Sequence, residues 1–259
     1  MGLLQLNSYD LRGKTALVTG STQGIGKALA RGLAAAGAFV WVHGRDPAGE
    51  AFAREIGGGF VRADLEIESE VEALTRKVLA YVDRLDVLIN NAGLERIMPL
   101  ERLDLAQFDR IWKINVRAPA QMIRDLLPAL KVARGASVIN VTSIHEEVPY
   151  PNNAAYSISK AALSMLSNTA ALELAPFDIR VNNLAPGAIE TDINREVIEK
   201  VGRGKFNEWI PAGRLGQVDD VIGPALFLAS DLSRYVTGTT LFADGGYRRN
   251  LVRYRPEES

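Results

Sequence analysis

Short runs of apolar, β-favouring residues recur along the chain, separated by longer stretches whose apolar positions return every three or four residues. The runs predict strands at Thr15–Thr19, Phe39–His43, Gly59–Ala63, Val87–Asn90, Ser137–Val141, Ile179–Leu184 and Thr239–Ala243. Most are continuous rather than alternating, the pattern of strands covered on both faces. Between them, Ile25–Ala36 is rich in Ala and Leu and runs into Gly37, a C-terminal cap. Glu68–Val82 repeats apolar residues at Val71, Leu74, Val78 and Val82. Ala154–Ala175 is long and stops at Pro176. Val218–Ala229 predicts a further helix that Pro224 should kink or split. Strand–helix–strand alternation with right-handed crossovers predicts an α/β fold: a single-domain, Rossmann-type doubly wound parallel sheet of about seven strands flanked by helices.

The alternation breaks after the sixth strand. Residues 190–211 lack strand character and carry charge and the glycines Gly202 and Gly204. Ligands of such sheets bind beyond the carboxyl ends of the strands, so a lid over a ligand fits this position, as does a plain surface excursion. Residues 247–259 read as a polar, arginine-rich tail, either mobile or packed on a partner subunit. Trp41, on a predicted strand, is expected in the core, and Trp209 is placed to close a pocket from the lid.

Composition narrows the chemistry. A net charge of −1 over 259 residues provides no field to recruit nucleic acid or an anionic membrane. The absence of cysteine excludes disulfides, thiolate metal sites and cysteine catalysis. His43 and His145 are the two histidines, so a three-histidine metal site is excluded while carboxylate sites are not, and no metal is expected. No apolar stretch has the length of a membrane span, and the first residues lack the marks of a secretory signal, so a cytoplasmic location is expected.

The first predicted strand runs into Thr19-Gly20-Ser21-Thr22-Gln23-Gly24-Ile25-Gly26 and then directly into a helix. Glycines at such a turn let the backbone approach a pyrophosphate, whose charge the helix N-terminus stabilises. Gly20, Thr22, Gln23, Gly24, Ile25 and Gly26 are therefore candidate dinucleotide contacts. At the end of the second strand, where an NAD site usually carries a carboxylate, the chain has Gly44 and then Arg45. Arginine pairs with a 2′-phosphate, which favours NADP over NAD, although Asp46 follows directly. Asp64 and Leu65, after the third strand, could reach the adenine amino group, and Asp64 could equally cap a helix.

Tyr156 and Lys160 lie one turn apart on a predicted helix, hence on one face. Ser143 follows the fifth strand, and Asn115 sits in another predicted helix. A phenol ordinarily ionises near pH 10. A lysine ammonium about 4 Å away would contribute roughly 4 kcal/mol of attraction to the phenolate at an effective dielectric near 20. That would lower the phenol by about three pKa units and let it exchange protons near neutral pH. A neighbouring serine hydroxyl would hydrogen-bond the substrate oxygen as charge develops on it.

Thr19–Gly26, Asn90-Asn91-Ala92-Gly93, Asn115, Ser143, Tyr156-x-x-x-Lys160 and Pro186-Gly187 fall in the order and spacing of the short-chain dehydrogenase/reductase family, which the chain resembles over nearly its whole length. The resemblance implies that Tyr156 is the general acid/base and that Lys160 also binds the nicotinamide ribose. It implies that Ser143 polarises the reacting oxygen and that Asn115 holds a water relaying protons to Lys160. Asn91, Ala92 and Gly93 would line the adenosine-ribose side. Pro186, Gly187, Ile189 and Thr191 would flank the nicotinamide. The acidic residue of NAD-using members after the second strand is missing. A homotetramer is implied, and the helix Ala154–Ala175 carries a second apolar stripe that fits subunit packing or core.

Further stretches are similar to bacterial glucose and aldose dehydrogenases: Asn91-Ala92-Gly93-Leu94-Glu95, Ser143-Ile144-His145-Glu146, residues 187–194, Tyr235-Val236-Thr237-Gly238 and Leu241–Gly246. In that reading Glu95, His145 and Asn194 join Ser143 and Tyr156 around a sugar or polyol. Each has a plainer reading: a solvated carboxylate, a histidine packed under a loop, a helix cap. The alternatives are a reductase of 3-oxoacyl thioesters or small cyclic ketones, with a more apolar pocket from Tyr150, Ile189, Ile193 and Trp209, and a non-catalytic dinucleotide-binding protein.

Overall fold

A computed structural model of the chain describes residues 9–250 apart from Ile193; the predicted tail beyond Asn250 lies outside the described residues. Seven parallel strands form one sheet in the order β3-β2-β1-β4-β5-β6-β7. They are β1 (Thr15–Val18), β2 (Phe39–Gly44), β3 (Gly59–Arg62), β4 (Val87–Asn90), β5 (Ser137–Val141), β6 (Arg180–Pro186) and β7 (Thr240–Ala243). The helices are α1 (Gly24–Ala35), α2 (Gly49–Glu55), α3 (Glu68–Leu79), α4 (Leu105–Trp112), α5 (Ala118–Ala133), α6 (Ala154–Leu174), α7 (Arg195–Val201), α8 (Arg203–Trp209) and α9 (Ile222–Ala229). Strand order reverses between β1 and β4, which pair through Ala16–Val18 against Val87–Ile89, and this crevice is the topological switch point of the sheet.

The continuous apolar runs arise from burial on two sides. Leu17, Leu88 and Val138 face a core shared with α3, α5 and α6, while Ala16, Val18, Ile89 and Ile139 face one shared with α1 and α9. Trp41 is buried in the first of these cores, as expected, against Phe39 and Tyr81. Pro224 breaks nothing. Residues 218–221 form a 3₁₀ turn and α9 starts at Ile222, so the proline occupies the first helical turn, where its missing N–H has no intrahelical partner to lose. Arg180 is buried, and its guanidinium donates to the Leu228 carbonyl, the Ser233 hydroxyl and the Ser230 carbonyl, closing the C-terminal end of α9.

One feature has no counterpart in the sequence pattern, and another gives helical form to the stretch read as a lid or surface excursion. Lys113–Arg117 is a π-helical turn that joins α4 to α5 in one continuous helical rod. Residues 190–211 form the helices α7 and α8 around a small core of Ile198, Ile210 and Leu215, to which Phe206 and Tyr247 add. No helix among the described residues is long and apolar enough to cross a membrane.

Candidate active site

The glycine turn is built by exclusion of side chains. Gly20 and Gly24 have φ values of 61° and 53°, the left-handed region. A Cβ on Gly26 would stand 2.2 Å from the Gly20 carbonyl oxygen and 2.3 Å from Asn91 Nδ2, so α1 packs directly on the turn. Gln23 caps α1 without a side-chain hydrogen bond, which leaves the first-turn N–H groups for a ligand. Across the switch point the Thr19 hydroxyl accepts from the N–H groups of both Asn91 and Ala92 at 3.0 Å. Asn91 Nδ2 returns bonds to the carbonyls of Thr19 and Gly20. Thr191 lies over the same turn, its Cγ2 3.6 Å from where a Gly24 Cβ would be. The turn thus fits a dinucleotide pyrophosphate: a narrow backbone cradle at a helix N-terminus.

His43, which carried no role in the sequence reading, holds this turn in place. Its Nδ1 accepts from the Gly20 N–H, its Nε2 donates to the Ala63 carbonyl, and its own N–H donates to the Ser21 hydroxyl. Burial pushes its pKa down to about 4. The detectable signal was a histidine at the buried end of a strand.

Arg45 is exposed, with its guanidinium 4.0 Å from the Asp64 carboxylate, and its carbonyl accepts from Arg62 Nε. Asp64 Oδ1 accepts from the Glu66 N–H in the turn ahead of α3; it does not cap that helix, whose N-cap is Ile67 without a side-chain bond. Leu65 sends its side chain into the core, so only its main chain is available to a ligand. Gly44 admits no side chain: a Cβ there would meet the Thr22 methyl at 2.5 Å.

Ser143, Tyr156, Lys160 and Asn115 are brought to one cleft. Ser143 is buried just past the end of β5, its hydroxyl accepts from the His145 N–H, and it bears on the Tyr156 phenol. Lys160 is buried and its Nζ donates to the Val141 carbonyl at 2.8 Å, 5.5 Å from the Tyr156 ring centroid. Asn115 sits on the π turn, a frequent location of functional side chains. Its Oδ1 accepts from the Leu94 N–H, and its Nδ2 donates to the Leu94 carbonyl and the Ser159 hydroxyl. Gly93 lies between: a Cβ there would be 3.5 Å from Lys160 Nζ and 3.6 Å from Asn115 Oδ1.

The expected lowering of the phenol by Lys160 is not what this arrangement produces. Burial pushes the Tyr156 phenol above its ordinary value, the Glu95 charge pushes it further, and the neighbouring Ser143 pulls it part of the way back. The lysine directs its proton to a main-chain carbonyl, and desolvation brings its own pKa down to about 8. Tyr156 is therefore a neutral phenol at physiological pH, poised as a proton donor.

Around this centre His145 stands edge-on to Tyr156 with ring centroids 6.3 Å apart, and its Nδ1 is engaged by the Val148 carbonyl. Glu95 accepts a hydrogen bond from Asn153 Nδ2. Asn194 behaves differently from the expectation. Its Oδ1 accepts from the N–H and hydroxyl of Thr191 and its Nδ2 donates to the Ile189 carbonyl, so its polar atoms pin the 189–194 turn. Pro186 ends β6; Gly187 follows, and a Cβ there would stand 2.8 Å from Asp244 Cα, while Ile189 is buried. Trp209 stacks edge-on against Phe206 within the α7–α8 layer. Asn153, buried at the start of α6, is absent from the sequence reading, because a lone asparagine before a helix looks like a cap. It makes no capping bond here.

A doubly wound sheet with a glycine turn at its switch point defines a dinucleotide-binding fold. A family model described as Enoyl-(Acyl carrier protein) reductase matches residues 20–248. The chain is 39% identical over 248 residues to 3beta-hydroxysteroid dehydrogenase 1 of Eggerthella lenta, covering 92% of this chain and 94% of that one. It is 38% identical over 248 residues to glucose 1-dehydrogenase 2 of Bacillus subtilis, covering 92% and 95%. A crystal structure of a gluconate 5-dehydrogenase from Burkholderia cenocepacia in complex with NADP and tartrate superposes with a TM-score of 0.89 at 33% identity, covering 93% of this chain and 97% of that one. The chain belongs to the short-chain dehydrogenase/reductase family and is an NAD(P)-dependent oxidoreductase acting on CH–OH groups.

Proposed function

We propose that the enzyme interconverts the alcohol and carbonyl forms of a sugar or other polyhydroxylated substrate, using NADP in preference to NAD. The observation that carries this is the polar surround of Tyr156: His145 stands edge-on to its ring, and Asn153, three residues before it, holds the Glu95 carboxylate. The rival acyl or cyclic-ketone reading needs apolar lining from Tyr150, Ile189, Ile193 and Trp209; Tyr150 is exposed beside His145 and offers some, and Ile193 lies outside the described residues. Ile189 is spent in the core and the Trp209 ring packs on Phe206, which favours the polyol reading. Arg45 supports NADP, as does a position 44 that has no room for the carboxylate of an NAD site.

When bound, the dinucleotide supplies or receives the hydride at the substrate carbon. Ser143 donates to the carbonyl oxygen and orients it. Tyr156, kept neutral by burial, gives its proton to that oxygen as the alcohol forms. Lys160 holds a proton below about pH 8 and, as the nearest cation to the ring, compensates the phenolate left behind. Asn115 fixes the backbone of Leu94 and the Ser159 hydroxyl beside Lys160, the position from which a water could relay the replacement proton. The helices α7 and α8 serve as the lid, anchored at its first turn by Asn194. Steady-state assays with aldoses, polyols, 3-oxoacyl thioesters and cyclic ketones at both dinucleotides test the reading. Turnover confined to the thioesters or ketones would overturn it.

The same reading includes a homotetramer. Ile158, Met165 and Leu172 repeat at seven-residue intervals on the outer face of α6 and are 48%, 63% and 80% exposed, a stripe that a second subunit would cover. Met165→Glu is expected to shift the sedimentation coefficient toward a smaller species, and an unchanged value would remove the stripe from the interface.

A further inference from the structure

We infer that Glu95, held in place by Asn153, makes the cleft selective for neutral hydroxylated substrates over those carrying a carboxylate. The inference rests on the alcohol–carbonyl reading of the site given above, and not on the substrate being a sugar. It starts from Asn153. This side chain is 1% exposed, lies beside the first turn of α6, and donates from Nδ2 to Glu95 Oε1. Its Oδ1 is buried without a partner. A buried amide that leaves half its capacity unmet costs free energy, so its position is maintained for the bond it does make. That bond fixes a carboxylate that would otherwise be a mobile surface charge.

The fixed carboxylate acts on the reacting groups. Glu95 follows Leu94, which Asn115 grips through both its N–H and its carbonyl, and it is bonded to Asn153, three residues before Tyr156; from there its charge raises the pKa of both Tyr156 and Lys160. A second carboxylate, Glu146, also bears on Lys160; its Oε1 is held by the hydroxyls of Ser164 and Thr240, and its Oε2 is buried without a partner. Several cations among the described residues are engaged by the protein itself, and Arg96, next to Glu95, is turned onto the Glu95 main-chain carbonyl. Lys160 donates to the Val141 carbonyl. Arg195 pairs with Asp192, Arg203 with Glu190, Arg214 with Asp220, and Arg248 with Glu147 while stacking on Phe242. A substrate carboxylate entering beside Tyr156 would therefore meet the like charge of Glu95 before any of these engaged cations, whereas hydroxyl groups can donate to Glu95.

The test compares two matched pairs, glucose with gluconate and methyl 3-hydroxybutyrate with 3-hydroxybutyrate. Each is assayed with NADP for turnover and, in parallel, for binding to the NADPH-loaded protein by quenching of cofactor fluorescence. The wild type is expected to favour the neutral member of a pair on the order of tenfold or more. Glu95→Gln keeps the shape and the bond to Asn153, and should bring the ratio close to one by improving the anion. Asn153→Ala should also lower the ratio, chiefly by raising KM for the neutral member, with kcat and the melting temperature changing less. Equal or better use of the anion by the wild type, or a ratio unmoved by Glu95→Gln, would overturn the inference. Silence of the sugar pair with selectivity intact in the ester pair would remove the polyol reading and leave the inference standing. Failure of all four compounds to bind or react would count against both.

Discussion

The imidazole of His43 accepts a hydrogen bond from the Gly20 N–H at 3.0 Å while donating to the Ala63 carbonyl at 3.1 Å. The two contacts require the neutral ring with its proton on Nε2. Protonation would set an N–H of the imidazolium against the Gly20 N–H and loosen the turn that cradles the pyrophosphate.

A pH dependence of stability follows. Burial holds the folded His43 pKa down at about 4, against an ordinary value of 6.5. Between those values the unfolded chain binds the proton and the folded chain does not. Stability from this residue is therefore complete above pH 6.5 and is lost as pH falls toward 4, by about 3 kcal/mol in total. Urea unfolding at pH 7 and pH 4.5 should differ more for the wild type than for His43→Gln; equal differences would refute the assignment.

Tyr156→Phe removes the transferable proton and preserves the ring. Turnover is expected to fall about a thousand-fold while dinucleotide affinity is nearly unchanged. Substantial residual activity in stopped-flow assays would transfer the proton role to another group.

The pH–rate profile should carry the Lys160 transition. Its pKa is about 8, raised by Glu95 and Glu146 against the lowering by burial. Carbonyl reduction is expected to decline as pH rises through about 8, where the lysine proton is lost. Glu95→Gln should move that break to lower pH, since it removes one of the charges that hold the proton. A break that stays in place would show that another group controls the profile.

Cofactor choice should depend on a pair of positions. Gly44→Asp alone drives a Cβ into the Thr22 methyl, which lies 2.5 Å from its ideal position. We expect a stability loss of about 1–3 kcal/mol from this overpacking and no gain in NAD use. Adding Thr22→Ser, which removes the methyl, should recover most of that loss. Arg45→Asp, on the exposed side of the same turn, is expected to lower the NADP/NAD ratio of kcat/KM by itself. An unchanged ratio would take the phosphate contact away from Arg45.

Features that depend on one residue type in one local conformation were legible in the sequence. Gly20, Gly24 and Gly26 announce a turn because a positive φ favours glycine at the first two and a carbonyl 2.2 Å from the place of a Cβ demands it at the third. The seven strands were legible because burial on both faces leaves unbroken apolar runs. What escaped depends on partners distant along the chain. His43 braces a turn about twenty residues away, and Asn153 holds a carboxylate 58 positions earlier. Asn194 spends its amide on the turn before it. The Tyr156 ionisation was misjudged because a one-turn spacing tells how two side chains are aligned, while desolvation depends on everything packed around them.

The wide turn at Lys113–Arg117 has a consequence for how this stretch tolerates change in length. It works as a phase shifter: one extra backbone unit lets Ile111 before it and Met122 after it both reach the interior while Asn115 is aimed at the cleft. Excising a single residue here would restore uniform winding and turn one half of the rod by about 100° relative to the other. Burial on that half and the orientation of Asn115 could not both survive, so this stretch should accept exchange of side chains far more readily than a one-residue deletion.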